Sequence, residues 1–375
     1  MAIPPFKLER FFAEYEFKVK YLLSPSDCES LGLKELLLLA DPECQDLWDK
    51  LKLGYTESTG HPILRAEIAQ LYPGLNPDQI LVAVPEEAIF IAMHTLLRPG
   101  DHIISIFPAY QSLHEVAHSI GCRVTPWMVH LENQTWHLDL DFLENNITPE
   151  TRMVVINFPH NPTGYTISSE ELDQIVSIAR KHNLFLFSDE MYRFLEYSQN
   201  DRLPPVCNLY EKGISLSGLS KAFALPGLRI GWLATQDAIA LKDLETYKDY
   251  TTICSSAPSE ILSIIALRAK VPILARNSDI IKTNLQHANA FFQSNQDLFN
   301  WIPPTAGPIA FPRWLGNFPV DLFCQQVLDQ QGVMILPGSV FDIKANHFRI
   351  GLGRRNFSEA MNRVGDYLGQ FRAIQ

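Results

Sequence analysis

Between residues 79 and 236, short runs of β-branched and aromatic residues alternate with helical stretches, and no other feature constrains the fold of this chain as strongly. Seven runs read as strands: Gln79–Val84, Asp101–Phe107, Cys122–Val129, Arg152–Phe158, Leu184–Ser188, Ile214–Ser217 and Arg229–Ala234. The stretches between them include Glu86–Leu97, Gln111–Ile120 and Ser169–His182, the last opened by Ser168 with Glu170 and Glu171 in its first turn. Parallel strands need a helical crossover, so the pattern predicts an α/β fold with a mainly parallel seven-stranded sheet flanked by helices, in a large domain over 48–240. Helical periodicity continues from Ala238 to about Asn295, predicting inter-domain helices over 241–295. Beyond it, short strands at Ile309–Phe311, Val333–Leu336 and His347–Gly351, with two helices, predict a small α+β domain over 296–375. The N-terminal part, 1–47, is expected to supply an arm and the rest of that small domain, which is thus built from both chain ends. Its stretch Phe6–Phe17 sets Leu8, Phe11, Phe12 and Tyr15 against Lys7, Glu9, Glu14 and Glu16, as a helix packing on something else would.

Composition removes several classes of function. The 375 residues carry a formal charge of −11, which disfavours a nucleic-acid partner. Charged residues make up 19% and hydrophobic ones 46%, so a large core and buried subunit surface are expected rather than disorder. Six cysteines are scattered without a CxxC pair, and the start, Met1 to Phe6, has no signal-peptide pattern, so a cytoplasmic address is expected. The apolar run Leu31–Ala40 is interrupted by Lys34 and Glu35 and is too short to span a bilayer; it reads as a buried helix. No membrane partner is expected.

In an open parallel sheet, ligands bind beyond the carboxyl ends of the strands. The residues there form a coherent set: Pro108-Ala-Tyr110 after one strand, Pro159-His-Asn161-Pro-Thr-Gly164 after the next, then Asp189-Glu-Met-Tyr192 and Ser220-Lys221-Ala-Phe-Ala-Leu-Pro-Gly-Leu-Arg229. In this order they resemble the class I/II aminotransferases, the pyridoxal 5′-phosphate (PLP) enzymes of fold type I, from Tyr55 to Arg349. The chemistry asks for these residue types: an amine to form a Schiff base with the cofactor, and an acid to hold a proton on its ring nitrogen.

The resemblance implies that Lys221 is the Schiff-base lysine and proton carrier and that Asp189 faces the ring nitrogen. It implies that Asn161 and Tyr192 donate to the phenolic oxygen, with Tyr192 counted among the catalytic groups, and that Tyr110 stacks on the ring. For the phosphate it implies Arg229, Ser217 or Ser220, the amides of Glu86 and Glu87, and Tyr55 reaching across from a neighbouring subunit. Arg349, with Asn161, is expected on the substrate side, gripping the α-carboxylate. The expected partners are an α-amino acid and a 2-oxo acid, in a homodimer with shared active sites and no metal.

Two departures from the family pattern concern the phosphate. The turn before the receiving helix is Val84-Pro85-Glu86-Glu87-Ala88, where Pro85 has no N–H to give, and the hydroxyl residue three positions before the lysine is Gly218. Weaker cofactor retention is expected. The segment Tyr21–Glu29, together with Ala306–Arg313, looks somewhat like the branch containing capreomycidine synthase, which acts on a hydroxylated arginine, so Asp27 or Glu29 is expected to meet a cationic side chain of the substrate. The same fold could instead support elimination, cyclisation or decarboxylation, or bind PLP without turnover. His114-Glu115-Val-Ala-His118 spells HExxH, the pattern of zinc peptidases, and is the rival reading, though no third ligand follows.

Overall fold

The computed structural model describes residues 3–374; Met1, Ala2 and Gln375, which belong to the expected arm and C-terminal part, lie outside them. An eight-stranded sheet forms the centre: β1 (Ile80–Ala83), β2 (His102–Phe107), β3 (Arg123–Glu132), β4 (Thr135–Leu138), β5 (Thr151–Asn157), β6 (Phe185–Asp189), β7 (Gly213–Gly218) and β8 (Gly231–Thr235). Their spatial order is β1-β8-β7-β6-β5-β2-β3-β4. The central pairs are parallel, while β8 runs against both neighbours and β4 runs against β3. Seven of these strands are the expected ones. The eighth, β4, returns from β3 through Asn133 and Gln134, both with positive φ (48° and 64°), a two-residue turn whose twist suits a hairpin. Side chains of this edge alternate between exposed and buried, whereas β1 and β7 are buried throughout, as strands covered on both faces must be.

Helices α1 (Lys7–Tyr15), α2 (Pro85–Leu96) and α3 (Ser112–Ile120) bear on the site. The helix Ser169–Lys181 begins with the reciprocal cap its sequence spells: Glu171 N donates to Ser168 Oγ at 3.1 Å, and Ser168 N to Glu171 Oε2 at 2.7 Å. Two chain-end segments meet in the small substructure, where Tyr21–Leu22 pairs in parallel with Val333–Met334. Beside it, Phe348–Gly351 pairs antiparallel with Ile309–Ala310 and with Leu336–Pro337. The 25-residue helix Lys270–Ser294 connects this part to the sheet.

The run Leu31–Ala40 is not the buried helix expected. Only Leu33–Leu37 is helical, and although Leu36 is buried, Leu38 is 77% exposed with Leu33 and Leu39 also at the surface. Hydrophobic content alone does not bury a segment; it needs a facing element, and within one chain this run meets only part of one.

Candidate active site

Strand register brings the expected groups together. Asn157, the last residue of β5, lies opposite Asp189, the last of β6, which lies opposite Leu216 of β7. Past these strand ends opens a cavity of about 400 Å³, within the range of small-molecule sites. Asp189, Lys221 and Arg349 face it from the sheet side and the small substructure, and Leu8, Glu9, Phe12 and Glu16 of the arm line another wall.

Lys221 projects its amine into the cavity, donating to Ser26 Oγ at 2.9 Å. Burial pushes its pKa down, partly offset by the Asp27 carboxylate, which favours the neutral, nucleophilic amine. Asp189 accepts from Met191 N at 3.1 Å, and burial pushes it up to about 7. A buried carboxylate with so few donors asks for a proton or a cation, and a protonated pyridine nitrogen supplies both. Arg349 is buried, gripping Asn161 Oδ1 at 3.0 Å and the Ser24 carbonyl at 3.0 and 3.3 Å, with its guanidinium 5.4 Å from the Phe341 ring centroid. Because Asn161 Oδ1 accepts from Arg349, the amide nitrogen is the end that can donate into the cavity. Burial pushes Tyr192 up to about 12, so its hydroxyl stays protonated and can donate.

Tyr110 lines the cavity, packed on Phe6 with ring centroids 5.0 Å apart, and its hydroxyl donates to Glu9 Oε1 at 3.3 Å. Arg229, Ser220 and Glu86 lie on the same rim, with the Glu86 carboxylate accepting from Ser112 Oγ at 3.2 Å. Ser217 does not line the cavity: it stands in β7 opposite Trp232, and since Leu216 faces the cavity, the pleat turns Ser217 away. Glu87 does not line it either; its carboxylate turns outward to Thr251 and Thr252. Tyr55 is 92% exposed, away from the cavity of its own chain. The cationic group that Asp27 meets is the protein's own, since Arg354 Nη2 donates to Asp27 Oδ1 at 2.9 Å. Glu29 lies outside the cavity, with its carboxylate accepting from Arg355 N at 3.4 Å.

Both departures from the family pattern belong to one packing unit. A Cβ added at Gly231 would sit 2.7 Å from Pro85 Cγ, and one at Gly218 3.1 Å from the same atom and 3.0 Å from Gly231 Cα. The ring of Pro85 therefore rests on the two glycines, where a larger residue would be crowded.

Other groups here lie within the motifs or segments already noted but receive no role from sequence. Ser26 holds the Lys221 amine, and Asn157 Nδ2 donates to the Asp189 carbonyl at 2.9 Å while its Oδ1 accepts from Asn161 N at 2.9 Å. His160 is fully buried between Thr163 Oγ1 and the Pro108 carbonyl, each 2.7 Å away. Burial pushes it down to about 4, so the ring is neutral: Nε2–H donates to the carbonyl and Nδ1 accepts from the threonine, fixing the loops that carry Tyr110 and Asn161 to each other. The HExxH residues His114 and His118 lie apart from this site, each beside Glu115 at 3.6 and 3.5 Å, and no cluster of three or more metal-ligating side chains occurs among the described residues.

The sequence profile of aminotransferase class I and II matches residues 47–363, and the chain belongs to that family of PLP-dependent transferases. Among particular relatives, the capreomycidine synthase of Streptomyces vinaceus is 29% identical, covering 98% of this chain and 95% of that protein. The aspartate aminotransferase of Sulfolobus acidocaldarius is 27% identical over 84% of this chain and 82% of its own length. Among solved structures, a PLP-dependent aminotransferase from Streptococcus suis superposes with a TM-score of 0.91 at 33% identity, over 99% of this chain and 98% of that one. The PLP-dependent cyclase OrfR superposes with a TM-score of 0.89 at 25% identity, over 99% and 98%.

Proposed function

We propose that the protein is an aminotransferase that moves an amino group between an α-amino acid and a 2-oxo acid. The observation that carries this reading is the buried Lys221 amine, aimed into a cavity whose other walls present Asp189 and Arg349. PLP, when bound, carries the amino group and takes up the electron pair of the bond broken at the α-carbon. Asp189 keeps the proton on the ring nitrogen. Asn161 and Tyr192 donate to the phenolic oxygen, and Tyr110 covers a ring face. Arg349 holds the α-carboxylate, where a planar guanidinium gives two parallel bonds, and so sets the substrate with its α-hydrogen toward Lys221, which would take that proton from the α-carbon and deliver it to the cofactor carbon bearing the nitrogen. Arg229, Ser220 and the Glu86 amide serve the phosphate, joined by Tyr55 of the partner subunit. Support for a homodimer comes from apolar side chains that one chain leaves exposed near Tyr55, including Leu53, Tyr250 and Ile253. We place the large domain at 48–240 and the small one at both ends, and the protein in the cytoplasm, which suits its six unpaired cysteines.

The test is a half-reaction screen: amino acids should shift the cofactor absorbance, and a 2-oxo acid should restore it. A second reading, another PLP reaction such as cyclisation, draws on the near-full-length match to capreomycidine synthase. Consumption of an amino acid without release of any 2-oxo acid would favour it over transamination.

A further inference from the structure

The Glu87 carboxylate, at the first turn of α2, does something other than face the phosphate. Its Oε1 accepts from Thr251 Oγ1 at 2.5 Å, Thr252 Oγ1 at 2.8 Å and Thr252 N at 3.1 Å, which pins the loop 249–256 to α2. That loop and the helix ends beside it hold the segment carrying Tyr55. Lys248, only 1% exposed, donates its Nζ to the carbonyls of Ser58 and Ile253, the latter at 3.2 Å. Thr56 Oγ1 donates to the Ser255 carbonyl at 3.3 Å, and buried Glu260 accepts from His61 N at 3.1 Å. Burying an ammonium is costly unless hydrogen bonds offset it, so one committed to two backbone carbonyls from separate segments is a tie between them. Tyr55 itself projects outward from this tied segment.

We propose that Glu87 and Lys248 are positioning residues that brace the Tyr55 segment against α2, presenting Tyr55 in a fixed place to the cofactor phosphate of a second copy of this chain. The proposal rests on the shared-site reading above. An unbraced Tyr55 segment has to be ordered each time it engages the phosphate and should release the cofactor about tenfold faster.

Hybrid dimers separate this role from a local one, because Glu87 Oε2 also accepts from Val84 N at 3.4 Å and could act only on its own helix. In one hybrid, Glu87→Ala lies on the chain that keeps Lys221 and the partner carries Lys221→Ala; in the other, both substitutions lie on the same chain and the partner is unaltered. Each dimer has one lysine-linked site, and cofactor release is followed by loss of visible absorbance after dilution. The expected result is release at the unaltered rate in the first hybrid and about tenfold faster release in the second. Faster release in the first hybrid alone, or no difference in either, overturns the proposal. Tyr55→Phe in the same two arrangements checks the shared site independently: if it has no effect in the second arrangement, the shared-site reading itself fails and the proposal with it. Lys248→Met should reproduce the Glu87→Ala pattern and Glu87→Gln should restore part of it; a thermal melt confirms that each variant is folded.

Discussion

The two walls of the cavity are built by different means. The sheet wall consists of residues at consecutive strand ends, where ladder register sets Asn157 opposite Asp189 and Asp189 opposite Leu216, and Lys221 follows β7 by three residues. The arm wall consists of Leu8, Glu9 and Phe12 on α1 and Glu16 just past its end, a segment joined to the rest by side-chain contacts: Phe6 on Tyr110, the Lys7–Asp342 ion pair, and Gln111 Nε2 donating to the Pro5 carbonyl at 3.0 Å. Backbone ladders fix geometry to tenths of an ångström, while exposed side-chain contacts are individually weak and easily exchanged. On this contrast, the sheet wall should carry the chemistry and the arm wall the choice of substrate.

The sharpest break lies in the sheet wall. Lys221→Ala should remove the visible absorbance of lysine-linked cofactor and bring turnover to background, and surviving transamination in that variant would refute the assignment. Asp189→Asn comes next, and it has a signature without cofactor. Asp189 is pushed up to about 7 by burial, so the folded state holds its proton where the unfolded chain has lost it. Stability of the cofactor-free protein should therefore be highest at low pH with respect to this group and fall as pH rises from about 4 to about 7, by at most roughly 4 kcal/mol. Denaturant titrations across that window should show the fall in the parent and a flatter profile in Asp189→Asn; parallel profiles would mean that the site is wetter than its burial implies. Third, Arg349→Ala should raise KM for the amino acid on the order of a hundredfold with a smaller change in kcat, since bonds to a charged group are worth about 1.5–3 kcal/mol. An unchanged KM would move the carboxylate clamp elsewhere.

The same division decides what was legible in the sequence. Residues at strand ends sit in short motifs next to periodic runs, so the family resemblance could point to Lys221, Asp189, Asn161 and Tyr192, and all four line one cavity. Strand β4 was not legible, because its hairpin turns on Asn133-Gln134 without the glycine that usually marks such a turn. Leu31–Ala40 misled because apolar content reports what could be buried, not what a neighbour covers. Asp27 was expected to meet a cationic side chain of the substrate; it lines the cavity, but the cation beside it, Arg354, lies 327 residues away in the chain, and no local pattern announces such a pair. For Glu87, sequence located the helix turn and its amide; the direction of the carboxylate depends on Thr251 and Thr252, which only the folded chain brings near.

The arm wall supplies the smallest and most discriminating test. Glu9, Glu16 and Asp27 face the cavity there, while its basic side chains are Lys221, Arg229 and Arg349, each with a proposed task at the cofactor or the α-carboxylate. A carboxylate at the far end of a substrate side chain would meet like charge and no spare cation. Glu9→Gln keeps an acceptor for the Tyr110 hydroxyl while removing one negative charge, so stability should hold and the ratio of kcat/KM for acidic over neutral amino acids should rise. Because Glu9 is exposed and its field is screened, the rise should be a few-fold, under about 1 kcal/mol, and should shrink as salt is added. If the ratio is indifferent to both the substitution and the salt, the arm lines the cavity without reading charge, and selectivity must come from shape or from the partner subunit.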